Sequence, residues 1–345
     1  MVIKVSLVNI GENMDKYKLK LRQAMPLEDK IKFTERRVHD WINHFGVENC
    51  YVSFSGGKDS TVLLHLIRQL YPDIEAVFVD TGLEYPEIRK FVKTFDNVTI
   101  LRPEMRFDKV IEKYGYPIVS KEVSECIDQA RKCLERADGS SNYRLLKITG
   151  QAKDKKGNKS MYNQEKWKFL LDAPFKISNK CCSVMKKKPA HEYHRKTGKV
   201  PFIATMAEES RLREQKYLEK GCNAFDNKIP TSTPIAFWTE QDILKYIYIY
   251  NLDYASVYGK ILKNKNEEYY MTGCSRTGCM FCGYGCHLDK YPNRFQRLAE
   301  THPKQYDYII NTLGMGKVLD FINVKYLPNV DNKNQLKLFK NNQHT

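Results

Sequence analysis

Two sets of residues in this chain have the types and spacing to do chemistry. The first is Tyr51-Val-Ser-Phe-Ser-Gly-Gly-Lys-Asp-Ser60, an apolar run that enters Gly56-Gly57 and leaves through Lys58, Asp59 and Ser60. Glycine has no side chain to hold an anion at a distance and tolerates unusual dihedrals. A helix opening at Asp59, with Val62, Leu63, Leu64, Leu66, Ile67 and Leu70 on its apolar side, offers unpaired N–H groups and the positive end of its dipole. The stretch reads as a phosphate cradle. A Walker loop needs Ser or Thr directly after Gly-Lys, and Asp59 stands there instead. The second set is cysteine. Cys181-Cys182 precedes Lys186-Lys187-Lys188-Pro189, and Cys274, Cys279, Cys282 and Cys286 follow within one glycine-rich loop. Thiolates two residues apart in such a loop can face one metal centre, zinc or a four-iron cluster. Cys279 and Cys282 form the central pair, with either Cys181 and Cys182 or Cys274 and Cys286 as partners.

These residues need elements to position them. Leu27, Ile31, Val38, Trp41, Ile42 and Phe45 recur at helical steps, so Pro26 to Phe45 is an amphipathic helix that Gly46 ends. Strands follow at Tyr51 to Phe54, Ile74 to Val79 and Val98 to Leu101, separated by helices from Asp59 to Leu70 and from near Pro86. That alternation predicts an α/β fold, a doubly wound parallel sheet in which ligands bind beyond the carboxyl ends of the strands. Ser55 and Asp80 both stand at such ends. In Asp80-Thr81-Gly82-Leu83-Glu84, the carboxylate and hydroxyl suit a ribose or a magnesium ion on phosphates. Further on, a helix is expected from Lys121 to Ala137, a loose insertion over Asp138 to Ser160 and a strand over Pro201 to Met206. A charged helix over Glu208 to Lys220 and a helix capped by Thr239 with Asp242 complete this part. Tyr246, Tyr248, Tyr250, Tyr254 and Tyr258 are read as the border of a half-buried helix rather than a base-stacking platform. The domain organisation expected is an N-terminal helical segment (1–46), a nucleotide-binding domain (47–260) with a basic insertion at about 138–178, a cysteine-rich loop with closing helices (261–327) and a polar tail (328–345).

The bulk numbers bound the function. Of 345 residues, 57 are Lys or Arg and 41 Asp or Glu, a net charge of +16. The segment from Arg131 to Val200 alone holds 19 basic and 6 acidic residues. Such a segment attracts polyanions, nucleic acid above all. There is no apolar run of roughly 18 residues and no signal-peptide core near the start, so a cytoplasmic protein without a membrane span is expected. Ten cysteines in a reducing compartment point to metal or redox chemistry rather than a disulfide framework.

Six motifs, in order, resemble the phosphoadenosine phosphosulfate reductase family. They are Ser55 to Ser60, Asp80 to Glu84, Cys181-Cys182 before Lys186 to Pro189, Glu209-Ser210-Arg211-Leu-Arg213, Pro234-Ile-Ala-Phe-Trp238, and Gly278-Cys279-Met-Phe-Cys282. Ser55 to Ser60 resembles the PP-loop of ATP pyrophosphatases, which cleave ATP between the α and β phosphates. The cysteine pattern is similar to adenosine phosphosulfate reductases, and Cys274 to Cys279 resembles the cluster loop of the ATP pyrophosphatase component of DNA phosphorothioation systems. The resemblance implies an adenine nucleotide alpha hydrolase-like fold. ATP or adenylyl sulfate, with Mg2+, would be held by Ser53, Ser55, Gly56, Gly57, Asp59, Ser60, Asp80, Thr81, Gly82, Glu84 and Ser210. Lys58, Asp59, Arg211 and Arg213 would be the catalytic residues. It further implies a 4Fe-4S cluster on Cys181, Cys182, Cys279 and Cys282, with Cys274 and Cys286 as alternates and zinc as the other metal.

Three functions are compatible. The first is an enzyme that adenylates a substrate, a nucleic acid held by the segment 131–200, for sulfur transfer from a sulfur-donor protein. The second is a sulfonucleotide reductase. Such reductases attack with a cysteine near the C-terminus, commonly within Glu-Cys-Gly-Leu-His, and here no cysteine follows Cys286, so the thiosulfonate step has no obvious nucleophile. The third is a nucleic-acid-binding module with a structural metal and no turnover.

Overall fold

A computed structural model describes residues 15–136 and 141–328. The start up to residue 14, the head of the expected insertion (137–140) and residues 329–345 of the expected polar tail lie outside the described residues. The chain divides into two compact units. The first comprises the described residues of Met1–Asp80, Glu84–Arg102 and Pro189–Thr277, the second those of Thr81–Leu83, Pro103–Lys188 and Gly278–Thr345. The division is not linear along the chain: the segment 47–260 contributes to both units, and the cysteine-rich segment is split after Thr277.

The first unit is built on a six-stranded sheet. Its strands are β1 (Cys50–Ser53), β2 (Glu75–Val79), β3 (Val98–Leu101), β4 (Val200–Ile203), β5 (Asn223–Ala224) and β6 (Thr231–Ser232), in the order β3-β2-β1-β4-β6-β5. All neighbours run parallel except β5 and β6, so the expected parallel α/β sheet carries one antiparallel edge. Central strands of a parallel sheet are covered on both faces and therefore read as continuous apolar runs. Cys50, Tyr51 and Val52 are accordingly all buried. The chain leaves β1 towards β2 on one side, while β4 pairs on the other with Ser53 opposite Ile203. The segment after Ser53 thus lies where the strand order reverses, the place where such sheets open a crevice.

The helix Leu27–Phe45 buries Val38, Trp41 and Ile42, with the Trp41 ring 5.1 Å from Phe225 and 6.2 Å from Phe202. Lys30 on the same helix is 1% exposed, and its ammonium lies 2.5 Å from Asp242 Oδ2 and 2.6 Å from the Gln23 carbonyl. Asp242 also accepts from the Thr239 N–H at 2.7 Å, while the Thr239 hydroxyl accepts from the Asp242 N–H at 3.3 Å. This reciprocal cap starts the helix Glu240–Ile249 at the expected residue. The charged helix is shorter than expected. It runs Arg211–Lys220 after a separate turn at Ala207–Glu209, because the Ser210 hydroxyl caps it by accepting from Arg213 N–H at 3.3 Å.

In the second unit the helix Lys121–Leu134 is capped by Ser120 and carries a helix Tyr143–Ile148 against it. The described part of the stretch expected to be loose is therefore structured. Ile148, Ala152 and Ser160 are buried, Asn142 caps the short helix, and Lys147 forms an ion pair with Glu122. The cause is side-chain hydrogen bonding that composition does not reveal. Arg131, counted above as part of a basic surplus, donates to the carbonyls of Leu170, Leu171, Ala173 and Phe175 at 2.7–3.0 Å. Among the described residues no helix is long and apolar enough to cross a membrane.

Asp242 serves both the helix cap and a buried ammonium, and removing one partner of a buried pair costs about 3–5 kcal/mol, against about 1 kcal/mol for a lost cap. Asp242→Ala should therefore lose several times more stability in urea titration than Thr239→Ala. Equal losses would show that Lys30 does not depend on Asp242.

Candidate functional site

In the first unit, β1 ends at Ser53 and the next helix, Lys58–Leu70, has Gly57 as its N-cap. Two serines fold the intervening loop on itself. The Ser55 N–H donates to Ser60 Oγ at 3.1 Å, the two hydroxyls meet at 3.0 Å, and the Ser60 hydroxyl donates to the Gly57 carbonyl at 2.9 Å. Gly56 is left-handed, with φ +69°, and a Cβ there would stand 2.6 Å from Val92 Cγ2 and 2.9 Å from Ile88 Cγ2. Gly57 has an ordinary φ of −78°, but its Cβ would meet Ser55 Oγ and the Tyr258 hydroxyl at 3.2 Å.

Lys58 is 5% exposed. Its ammonium lies 3.3 Å from Glu240 Oε1, 3.5 Å from Asp59 Oδ1 and 3.3 Å from the Ser275 carbonyl. Burial alone would lower its pKa, but Asp59, Glu240 and Tyr258 outweigh burial and hold it above the ordinary value. Asp59 moves up because it is buried, against the pull of Lys58; its Oδ1 is at ion-pair distance from Lys58 with no hydrogen bond. The Lys58 N–H donates to the Tyr258 hydroxyl at 3.1 Å, and that hydroxyl is 2.6 Å from Thr277 Oγ1. Arg213 is paired with Glu209. Its pKa is lowered by burial and by the neighbouring Arg276, with Asp59 opposing.

The loop residues, Asp59 and Arg213 thus share one electrostatic neighbourhood. Arg211 is exposed, and Ser210 serves as a helix cap. Asp80 is engaged by Arg89 Nη2 at 2.9 Å, with Arg102 at 4.0 Å. Glu84 is buried in the same unit. Thr81 and Gly82 belong to the second unit, where the Thr81 hydroxyl accepts from the Leu83 N–H at 3.2 Å. They line a cavity of about 300 Å³ with Phe107, Phe281 and Tyr308. Sequence reasoning passed over Glu240 and treated Tyr258 as part of an aromatic run. Neither has a local spacing that ties it to Lys58.

Cys181, Cys182, Cys279, Cys282 and Cys286 lie in the second unit and Cys274 in the first. No disulfide forms among the ten cysteines, all of them described. Cys181 donates to Cys182, which lowers the Cys182 pKa, and Lys121, Lys186 and Lys187 lower it further against burial. Cys181 is driven up by that same bond, by burial and by the charges of Cys182, Cys279 and Cys282. Four thiols within electrostatic reach, ringed by lysines, are a donor set that fits a thiolate-bound metal group. Among the described residues, however, no three His, Cys, Asp or Glu side chains converge closely enough to hold a metal ion as they stand.

The second cysteine loop is pinned by backbone and arginine. Gly283–Tyr284 pairs in parallel with Ile118–Val119, and a Cβ on Gly283 would stand 2.7 Å from the Pro117 carbonyl. Arg294 grips Asp289 through Nε and Nη2 at 2.7 and 2.9 Å and donates from Nη1 to the carbonyls of Cys282 and Tyr284 at 3.1 and 2.9 Å.

Residues 49–132 and 119–284 match the model of the phosphoadenosine phosphosulfate reductase domain. The chain belongs to this family. An uncharacterized protein of Methanocaldococcus jannaschii is 26% identical over 267 residues, 76% of this chain and 46% of that protein. The adenosine 5'-phosphosulfate reductase of Geobacillus kaustophilus is 29% identical over 213 residues, 61% of this chain and 67% of that enzyme. The chain therefore spans about half the length of the first relative and two thirds of the second. Among solved structures, the U34-tRNA thiolase NcsA from Methanococcus maripaludis with its 4Fe-4S cluster gives a TM-score of 0.32 at 16% identity, covering 84% of this chain and 80% of that one.

Two outcomes follow from this geometry. A side chain on the left-handed Gly56 costs about 1–2 kcal/mol in backbone alone. Gly56→Ala should thus destabilise the protein in urea by more than Gly57→Ala, whose Cβ meets hydroxyl oxygens at 3.2 Å without backbone strain; the reverse order would contradict the loop geometry. Because the depressed pKa of Cys182 leaves more thiolate at neutral pH and less as pH falls, iodoacetamide should label Cys182 of the metal-free protein first, more slowly in acid. Cys50, pushed up to about 12 by burial and Glu48 against the pull of Lys199, should stay unlabelled. Mass spectrometry reads both, and uniform labelling would refute the assignment.

Proposed function

We propose that this member of the family is an ATP-dependent adenylating enzyme that prepares a nucleic-acid substrate for replacement of oxygen by sulfur. The observation that carries this reading is the loop Ser55–Ser60, where a reversed strand order, a helix start and a buried lysine ammonium combine in one anion-directed place. Apart from the Lys58 N–H, which Tyr258 takes, the amides of the first helical turn have no helical acceptors of their own and suit phosphate oxygens. In the proposed reaction a substrate oxygen bonds to the α-phosphorus of ATP. The bond from that phosphorus to the bridging oxygen breaks, and pyrophosphate leaves. The substrate oxygen departs later with AMP, when a sulfur nucleophile takes its place.

Lys58, Arg213 and Arg211 neutralise the charge that develops on the phosphates. Asp59 and Asp80 are the carboxylates suited to a magnesium ion arriving with ATP. Cys181, Cys182, Cys279 and Cys282 are the residues that would hold a 4Fe-4S cluster, with Lys121, Lys186 and Lys187 favouring thiolate. When bound, such a cluster supplies a site for sulfur. The basic surplus between Arg131 and Val200 supports a polyanionic substrate, supplied by the lysines that remain once Arg131 and Lys147 are assigned to internal contacts. The Geobacillus relative supports a second reading, reduction of adenosine phosphosulfate to sulfite.

Anaerobically purified protein should release pyrophosphate from ATP when a DNA or RNA acceptor is present, and Lys58→Ala should reduce the rate by about 10²–10³-fold. No release with any nucleic acid, together with sulfite from adenosine phosphosulfate, would decide for the reductase. The native protein should be coloured and its Cys279→Ala, Cys282→Ala variant colourless. A colourless native protein with stoichiometric zinc would sink the cluster.

A further inference from the structure

We propose that Glu240 is an internal competitor for the anion that Lys58 binds, and so sets the affinity of the loop for phosphate groups; this rests on the nucleotide reading above. An ammonium has three N–H donors. Around Lys58 Nζ stand three oxygens, those of Glu240 at 3.3 Å, Ser275 at 3.3 Å and Asp59 at 3.5 Å. The Ser275 carbonyl accepts a hydrogen bond and the two carboxylates stand at ion-pair distance, so a phosphate oxygen approaching Lys58 competes with oxygens already gathered around it.

The three differ in how easily they leave. The Ser275 oxygen is a backbone carbonyl. Asp59 is the residue next to Lys58, and its side chain is only 25% exposed. Glu240 comes from a separate helix, is the first residue of that helix, and its side chain is 45% exposed. Its carboxylate can turn into water at little cost in solvation. That helix start is held by the Thr239 cap and by the Lys30 ion pair at Asp242, which keeps Glu240 in reach of Lys58 when no ligand is bound. A phosphate entering while Glu240 remained would also meet a like charge. Glu240 must therefore move out as the phosphate moves in, and its carboxylate weakens binding by that amount.

Glu240→Gln keeps the shape of the side chain and removes its charge. Measured by calorimetry at constant ionic strength, it should tighten the binding of inorganic pyrophosphate and of ATP by up to about fivefold, the range expected for one partly exposed ion pair. Adenosine, which carries no phosphate, should bind both proteins equally, a result that also certifies the fold. In a Lys58→Ala background the same substitution should give no gain, because the competed cation is gone. Weaker pyrophosphate binding by Glu240→Gln would mean that the carboxylate positions Lys58 for its ligand and would overturn the proposal, as would an equal gain without Lys58. If the wild-type protein binds ATP but the variant shows no gain, this inference alone fails. If neither ATP nor pyrophosphate binds at all, the adenylation reading fails with it.

Discussion

A lysine ammonium buried at the positive end of a helix is the constraint on which the first unit depends. Lys58 is nearly inaccessible and sits in the first turn of its helix, where both desolvation and the helix dipole oppose a positive charge. Stability there requires oxygens, and the fold supplies them from separate stretches of chain. Asp59 is adjacent in sequence, Ser275 arrives on a returning loop, and Glu240 is delivered by a helix whose start is set by Thr239, Asp242 and Lys30. The N-terminal helix Leu27–Phe45 is thus more than a cover for the sheet, because its Lys30 ties down the residue two places from Glu240. Tyr258 occupies the Lys58 amide in the same manner. The arrangement keeps a cation available without leaving it unpaired, which suits the anionic ligand proposed for this loop.

The second unit solves a related problem for sulfur. Two adjacent thiolates would repel one another, so Cys181 and Cys182 divide the roles of donor and acceptor. Lysines from two segments then favour the thiolate on Cys182. The loop bearing Cys279 and Cys282 is held in register by a two-residue parallel strand pair and by Arg294. Val119 in that pair adopts a left-handed φ of 60°, costly for a β-branched residue and tolerated only where the surroundings dictate the backbone. Its carbonyl accepts the Gly285 N–H at 2.8 Å, so the strain falls where the cysteine loop is anchored.

Much of the fold was legible because it rests on local signals. Continuous apolar strands, helical spacing in Leu27–Phe45 and Lys58–Leu70, and the Thr239–Asp242 cap are written within a few residues each. The strand–glycine loop–helix unit at Ser55–Ser60 was legible for the same reason, since Gly56, Gly57 and the helix after them are contiguous. The region 141–160 was misread as loose. Its order comes from Asn142 as a helix cap and from Lys147 paired with Glu122, and a lysine in a polar stretch looks the same whether it faces water or a buried partner. The basic surplus was overcounted for that reason too. The antiparallel β5 and β6 were missed because two-residue strands carry no periodicity.

The sequence by itself determined the α/β class, the glycine loop at the end of β1, the family, and the paired cysteines proposed as metal ligands, because each depends on residue type and short spacing. Only the tertiary structure decided which distant oxygens surround Lys58, which unit each cysteine belongs to, and which basic residues are spent internally. Those depend on contacts between segments far apart in the chain, and no spacing rule reaches across a fold that has yet to close.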